Sequence, residues 1–181
     1  MLILIDQDGP LADFEQGFLD IWQKSFPDEF FIPLSERKTF YMRQQYPPHL
    51  TKKVDSIYTS PNFFINLKPT LGAKEAVNKL ITLGHDVRIC TSPLSRYDYC
   101  VLEKYQWVEK HFGREFTKKI ILTKDKTMVR GDILIDDKPK IEGVFKPEWE
   151  HIIFDYPYNQ EITDKRRLTW QNWEEILELV K

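Results

Sequence analysis

Leu2-Ile3-Leu4-Ile5 runs directly into Asp6-Gln7-Asp8-Gly9, and this junction constrains the chain more than any other. A strand apolar at every position is buried on both faces, as in a parallel sheet covered on both sides. Side chains alternate along a strand, so Asp6 closes it, while Asp8 lies just beyond on a turn that Gly9 lets tighten. Ligands of open α/β sheets bind at the carboxyl ends of the strands. Two carboxylates one residue apart at such an end repel each other, and a bound cation or a raised pKa relieves the repulsion. Capping of the following helix is the ordinary use of Asp at this position. Asp132-Ile-Leu-Ile-Asp136-Asp137 repeats the pattern of a short apolar strand ending in adjacent acids, which capping does not account for.

Bulk properties narrow the class. A chain of 181 residues, 41% hydrophobic, can build one core with a small inserted subdomain. Its net charge of −2 argues against a nucleic-acid polymer or a membrane surface as partner. Aromatic residues make up 14%, enough for some to line a pocket. Cys90 and Cys100 lack metal-ligand spacing and read as buried, reduced thiols of a reducing compartment. The Leu2–Ile5 run is too short for a signal peptide, and no stretch is long enough to span a bilayer.

Along the chain, apolar residues at 11, 14, 18, 19 and 22 give a helix over 12–26, ended by Pro27-Asp28. From Phe31 to about Asn66, Pro33, Pro47, Pro48 and Pro61 punctuate short helical pieces rich in Phe and Tyr, the texture of a helical insertion. Helices are expected over 72–83, with Gly84 as C-terminal stop, over 97–112 and over 170–180, the last with Thr169 as N-cap. Strands are expected over 87–90, 120–122, 133–135 and 152–154. Strands alternating with helices imply an α/β fold with a doubly wound parallel sheet. The expected division is an α/β core of 1–15 and 70–181 with a helical cap of 16–69 after the first strand.

Four strand ends carry polar residues: Asp6/Asp8, Thr91/Ser92, Lys124/Asp125/Lys126 and Asp136/Asp137. A parallel sheet brings them to one edge. Carboxylates for a metal, a hydroxyl and a lysine are the parts that phosphoryl transfer needs, because the transferring group carries spread negative charge.

The stretches Asp8-Gly-Pro-Leu-Ala-Asp-Phe14, Ile89-Cys-Thr-Ser-Pro93, Leu122-Thr-Lys-Asp-Lys-Thr127 and Leu134-Ile-Asp-Asp-Lys-Pro139 resemble the 5'(3')-deoxyribonucleotidases of the haloacid dehalogenase (HAD) superfamily. The resemblance implies a Mg²⁺-dependent phosphatase for (deoxy)ribonucleoside monophosphates. Asp6 would be the nucleophile and Asp8 the acid/base. Mg²⁺ would be held by Asp6, the Asp8 carbonyl and Asp137, with Asp136 behind Asp137. Thr91, Ser92, Lys124 and Lys126 would bind the phosphate side of the substrate, and Phe14, Phe40, Tyr41 and Tyr58 the base. The resemblance further implies a possible homodimer and a cytoplasmic location, since mitochondrial relatives carry a transit segment before the first strand.

Gln7, Pro10, Lys124, Tyr41 and Tyr58 depart from the family pattern, and Lys124 lacks the planar fork of the arginine expected there. Three alternatives stay open from the residues alone: a phosphatase for another small phosphomonoester, a phosphoacceptor signalling domain and a catalytically silent nucleotide-binding protein.

Overall fold

The computed structural model describes residues 1–178. Six strands, β1 (Leu2–Ile5), β2 (Asp86–Thr91), β3 (Ile120–Leu122), β4 (Ile133–Asp136), β5 (Glu150–Phe154) and β6 (Arg167–Leu168), form one sheet in the order β3-β2-β1-β4-β5-β6. Every pairing is parallel, with Ile3 opposite both Val87 and Ile133. The chain winds outward from β1 to β3, crosses back to β4 and winds the other way. The doubly wound order therefore reverses between β1 and β4, which places the ends of these two strands at the switch point where α/β proteins bind ligands.

Alternation along the strands divides the core. Ile3, Ile5, Val87, Ile89, Ile133, Ile135, Ile152 and Phe154 face one side, and join the buried residues of α1 (Phe14–Ser25), α3 (Ala73–Thr82), α4 (Cys100–Phe112) and the single turn α5 (Trp173–Ile176). Leu4, Cys90 and Leu134 face the other side under Trp149, with Val129 and Ile141 packed around them. That second layer is thin, because the β3–β4 and β4–β5 connections carry only a 3₁₀ turn at Lys126–Met128 and an irregular segment over 137–149. Both cysteines are buried and free, as expected.

Between α1 and α3 the chain forms the aromatic-rich insertion. Short 3₁₀ turns at Leu34–Glu36, Met42–Gln44 and Pro48–Leu50 precede α2 (Thr51–Tyr58). Prolines at the first position of such turns donate no N–H that the turn could use, which suits Pro48. Phe18, Trp22 and Tyr46 pack together, with the Trp22 and Tyr46 ring centroids 4.6 Å apart. Helix α4 ties this insertion to the sheet. The Glu103 carboxylate accepts from the Asn62 and Phe64 amides at 2.6 and 3.0 Å, and Trp107 Nε1 donates to the Leu67 carbonyl at 2.8 Å.

Two expectations need correction. The final helix does not begin after Thr169: residues 167–168 pair as a sixth strand, Asn172 is the N-cap and α5 covers only Trp173–Ile176. The expected end of that helix at Val180 lies outside the described residues. Helix α4 starts at Cys100, not Tyr97, and Tyr97 is exposed. The apolar periodicity of 97–112 continues into a segment whose aromatic side chains, Tyr97 and Tyr99, meet solvent and so do not hold a helix against the core.

Trp107 is buried, lies tilted against the His111 ring at 4.6 Å and anchors the insertion's exit. Its truncation removes a large core volume and a hydrogen bond. Trp107→Ala is expected to lower unfolding free energy by about 3–5 kcal/mol in urea titration.

Candidate active site

The chain leaves β1 at Asp6 and turns at Gly9, whose φ of +92° belongs to glycine. A Cβ there would stand 2.8 Å from the Asp137 carboxyl carbon, so glycine also makes room for the second acid pair. Thr70 Oγ1 and Tyr156 Oη both donate to the Gly9 carbonyl, at 2.7 and 3.1 Å, and Trp170 Nε1 donates to the Pro10 carbonyl at 2.6 Å. Side chains from three distant segments thus hold the turn. Asp13 then caps α1 by accepting from the Gln16 amide at 3.1 Å.

Lys126 sits between the two strand ends. Its Nζ lies 2.8 Å from Asp6 Oδ1 and 2.5 Å from Asp136 Oδ2. Burial alone would lower the Lys126 pKa, but Asp136 and Asp6 hold it above its ordinary value, so this ammonium stays charged. Asp125 builds the turn that carries Lys126: its carboxylate accepts from the Thr127 amide at 2.9 Å and the Val144 amide at 2.9 Å.

Asp6, Asp136 and Asp137 each bring a carboxylate oxygen within 4.8 Å of the others. One ammonium among three carboxylates leaves excess negative charge. Burial, followed by Asp136 and Asp6, pushes the Asp137 carboxyl well above the usual carboxylate range. Asp137 Oδ2 accepts from the Tyr158 hydroxyl, while Oδ1 is buried with no partner. An all-oxygen donor set with an unpartnered buried carboxylate oxygen fits a hard divalent cation.

Asp8 points elsewhere. Its Oδ2 accepts from Lys104 Nζ at 2.6 Å, and Lys104 also donates to Thr91 Oγ1 at 3.0 Å. Burial raises the Asp8 pKa, and the Lys104 ammonium works against that rise.

Asp6, Asp8, Lys126, Asp136 and Asp137 form the floor of a cavity of about 510 Å³. The structure brings Asp6, Asp8, Lys124, Lys126, Ser92, Asp136 and Asp137 to it, together with Phe14, Phe40, Tyr41 and Tyr58. Phe14 packs edge-on to Phe63 with centroids 5.2 Å apart and lies 6.2 Å from Tyr58. Phe40 and Tyr41 meet edge-on at 5.1 Å, with Lys138 Nζ 5.8 Å from each ring. Thr91 is different: it is buried at the end of β2 beneath the cavity, with its hydroxyl on Lys104. Lys124 donates to the Pro93 carbonyl and so joins the two loops that bear Ser92 and Lys126.

Four contributors escaped the sequence reading. Lys104 and Glu15 are charged residues on apolar helix stripes, beside Cys100, Trp107 and Val108 in α4 and beside Phe18, Leu19 and Trp22 in α1. A charge on such a stripe is the signal that would have revealed them. Tyr156 and Tyr158, stacked 5.2 Å apart after β5, carried no comparable signal.

The family described as "5' nucleotidase, deoxy (Pyrimidine), cytosolic type C protein" matches residues 1–181. The chain belongs to this family. A Bordetella pertussis protein is 53% identical over 177 residues, covering 98% of this chain and 95% of the relative. A Homo sapiens protein named "5'(3')-deoxyribonucleotidase, cytosolic type" is 47% identical over 186 residues, covering 97% of this chain and 92% of the relative. A HAD family hydrolase from Deinococcus radiodurans shares the fold, with TM-score 0.62 at 15% identity over 98% of this chain and 95% of that one. The α/β architecture is thus that of the HAD hydrolases. Among the described residues no helix is long and apolar enough to cross a membrane.

Glu15, in the cavity lining, forms a buried ion pair with Arg37 at 2.9 Å, and Arg37 lies 5.8 Å from the Tyr158 ring. Burial raises the Glu15 pKa from 4.5 to about 7 despite Arg37. Folded Glu15 therefore holds its proton more tightly than unfolded Glu15, and stability is lost as pH rises from 4.5 to about 7. A shift of this size corresponds to about 3 kcal/mol. Urea midpoints of wild type and Glu15→Gln across this range are expected to diverge, the variant losing less stability as pH rises.

Proposed function

We propose that the protein is a Mg²⁺-dependent phosphatase acting on deoxyribonucleoside monophosphates. The observation that carries this reading is the convergence of Asp6, Asp8 and Lys126 on the floor of a cavity walled by Phe14, Phe40, Tyr41 and Tyr58. Membership of the 5'-nucleotidase family supports it. The floor fits a phosphate and the walls fit a flat base between aromatic faces.

In the proposed reaction, Asp6 attacks phosphorus. The Asp6 oxygen–phosphorus bond forms as the bond to the ester oxygen breaks, and Asp8 gives a proton to that departing oxygen, releasing the nucleoside. Water then attacks the aspartyl-phosphate, Asp8 takes the proton, and phosphate leaves with Asp6 regenerated. Lys126 stays charged throughout, screening the Asp6 carboxylate from the incoming phosphate's negative oxygens. Asp6, the main-chain carbonyl of Asp8 and Asp137 would hold Mg²⁺, with Asp136 beside them, and the ion would supply charge neutralisation for the transferring group. Ser92, from the β2 loop, and Lys124 extend the phosphate side of the cavity.

The test is phosphate release from deoxynucleoside and ribonucleoside monophosphates and from p-nitrophenyl phosphate, with Mg²⁺ and with EDTA. Mg²⁺-dependent turnover favouring a deoxynucleotide is expected. Turnover of p-nitrophenyl phosphate alone would assign the site to a different phosphomonoester. Silence on every substrate would refute the reading. Phe14→Ala is expected to raise KM for nucleotides about 5- to 30-fold, the loss of an aromatic contact worth about 1–2 kcal/mol, and to leave KM for p-nitrophenyl phosphate nearly unchanged.

A further inference from the structure

Lys104 has no exposed surface, yet it is a lysine in the middle of an apolar helix stripe. Burying an ammonium is costly unless it is paired and hydrogen-bonded. Its neighbours Glu103 and Trp107 already fasten the insertion to α4, through the amides of residues 62 and 64 and the carbonyl of residue 67. The ammonium donates no hydrogen bond to that segment. It reaches the opposite way, to Asp8 Oδ2 at 2.6 Å and Thr91 Oγ1 at 3.0 Å, with the Phe64 ring 5.1 Å beneath it. The backbone is held too, since Gln7 Nε2 donates to the Lys104 carbonyl at 3.2 Å.

The two acids of the Asp6-Gln7-Asp8 turn are thus given to two different lysines. Lys126 takes Asp6 together with Asp136, and Lys104 takes Asp8 alone. Lys104 is fully buried and is not among the residues lining the cavity. It does limit where the Asp8 carboxyl can point. Without the ammonium, the carboxyl would be free to rotate about its side-chain bonds.

We infer that Lys104 is a positioning residue, which fixes the Asp8 carboxyl in the orientation needed to pass a proton to the departing ester oxygen. The inference rests on the phosphatase reading above. It predicts a dependence on the leaving group. A nucleoside alkoxide needs a proton as the phosphorus–oxygen bond breaks, whereas p-nitrophenolate departs without one, so only the first should feel a misplaced Asp8.

The experiment compares wild type, Lys104→Met, Lys104→Gln, Asp8→Asn and the Lys104→Met/Asp8→Asn double variant, with folding checked by circular dichroism. The readout is kcat/KM with Mg²⁺, which reports the steps up to departure of the leaving group. For a deoxynucleoside 5'-monophosphate, Lys104→Met is expected to lose about 100-fold, the scale of general acid catalysis, and for p-nitrophenyl phosphate less than about threefold. In the Asp8→Asn background, Lys104→Met should cause no further loss, because the group it positions is gone. Equal losses on both substrates would overturn the inference, as would a multiplicative loss in the double variant. Failure of both Lys104 variants to fold would also overturn it, leaving Lys104 a residue of stability alone. A wild type that releases phosphate from neither substrate would instead refute the phosphatase reading, and the inference with it.

Discussion

The Lys126 ammonium, held between Asp6 and Asp136, is the interaction on which the site depends. The ends of β1 and β4 are adjacent in the sheet, Asp6 following the first and Asp136 closing the second, so their pairing forces carboxylates together in a buried place. Without a cation between them, that proximity would oppose the pairing of the two strands on which the switch point is built. Breaking such a buried pair by removing one partner costs about 3–5 kcal/mol, because the remaining charge stays desolvated. The loop that carries Lys126 is accordingly fixed at several points. Asp125 engages the amides of Thr127 and Val144, and Gly143 packs so close to Asp125 that a Cβ there would collide with its carboxylate.

Around this pair the structure divides its labour by element. The sheet sets the spacing of the acids, and the turn at Gly9 lets Asp137 approach Asp6. Helix α4 performs two tasks with consecutive residues: Glu103 receives the insertion's backbone, and Lys104 receives Asp8. Asp8 on the cavity floor and the backbone of residues 62 and 64 are therefore held by the same helical turn. Tyr158 joins them as well, donating to Asp137 below while its ring lies against Arg37 from the insertion.

Much of this was legible in the sequence, for a physical reason. Apolar runs that end in Asp6 or in Asp136-Asp137 combine a local signal, burial, with a chemical one, charge at a strand end. Parallel strands convert the two into spatial convergence without further information. Where the local signal was weak the reading failed. The strand Arg167–Leu168 is too short to show alternation, and its pairing depends on β5 being beside it. The start of α4 was misplaced because periodicity does not distinguish an exposed aromatic from a core one. Lys104 and Glu15 carry only a weak signal in the sequence because charged residues on a helix are ordinarily solvated, and only tertiary contacts show that these two are not. The depth of Thr91, beneath the cavity rather than in its wall, was equally invisible without the register of β2 against β1 and β3.

In the proposed mechanism Asp6, the acid that follows β1, becomes covalently phosphorylated during turnover. The most direct measurement is acid-quenched turnover of a deoxynucleoside 5'-monophosphate, followed by borohydride reduction of any acyl phosphate and mass spectrometry of the N-terminal peptide. Homoserine at position 6, in an amount that rises during turnover and falls as substrate is exhausted, is the predicted result. Active turnover with position 6 unmodified at every time point, or with the label at position 8, would contradict it.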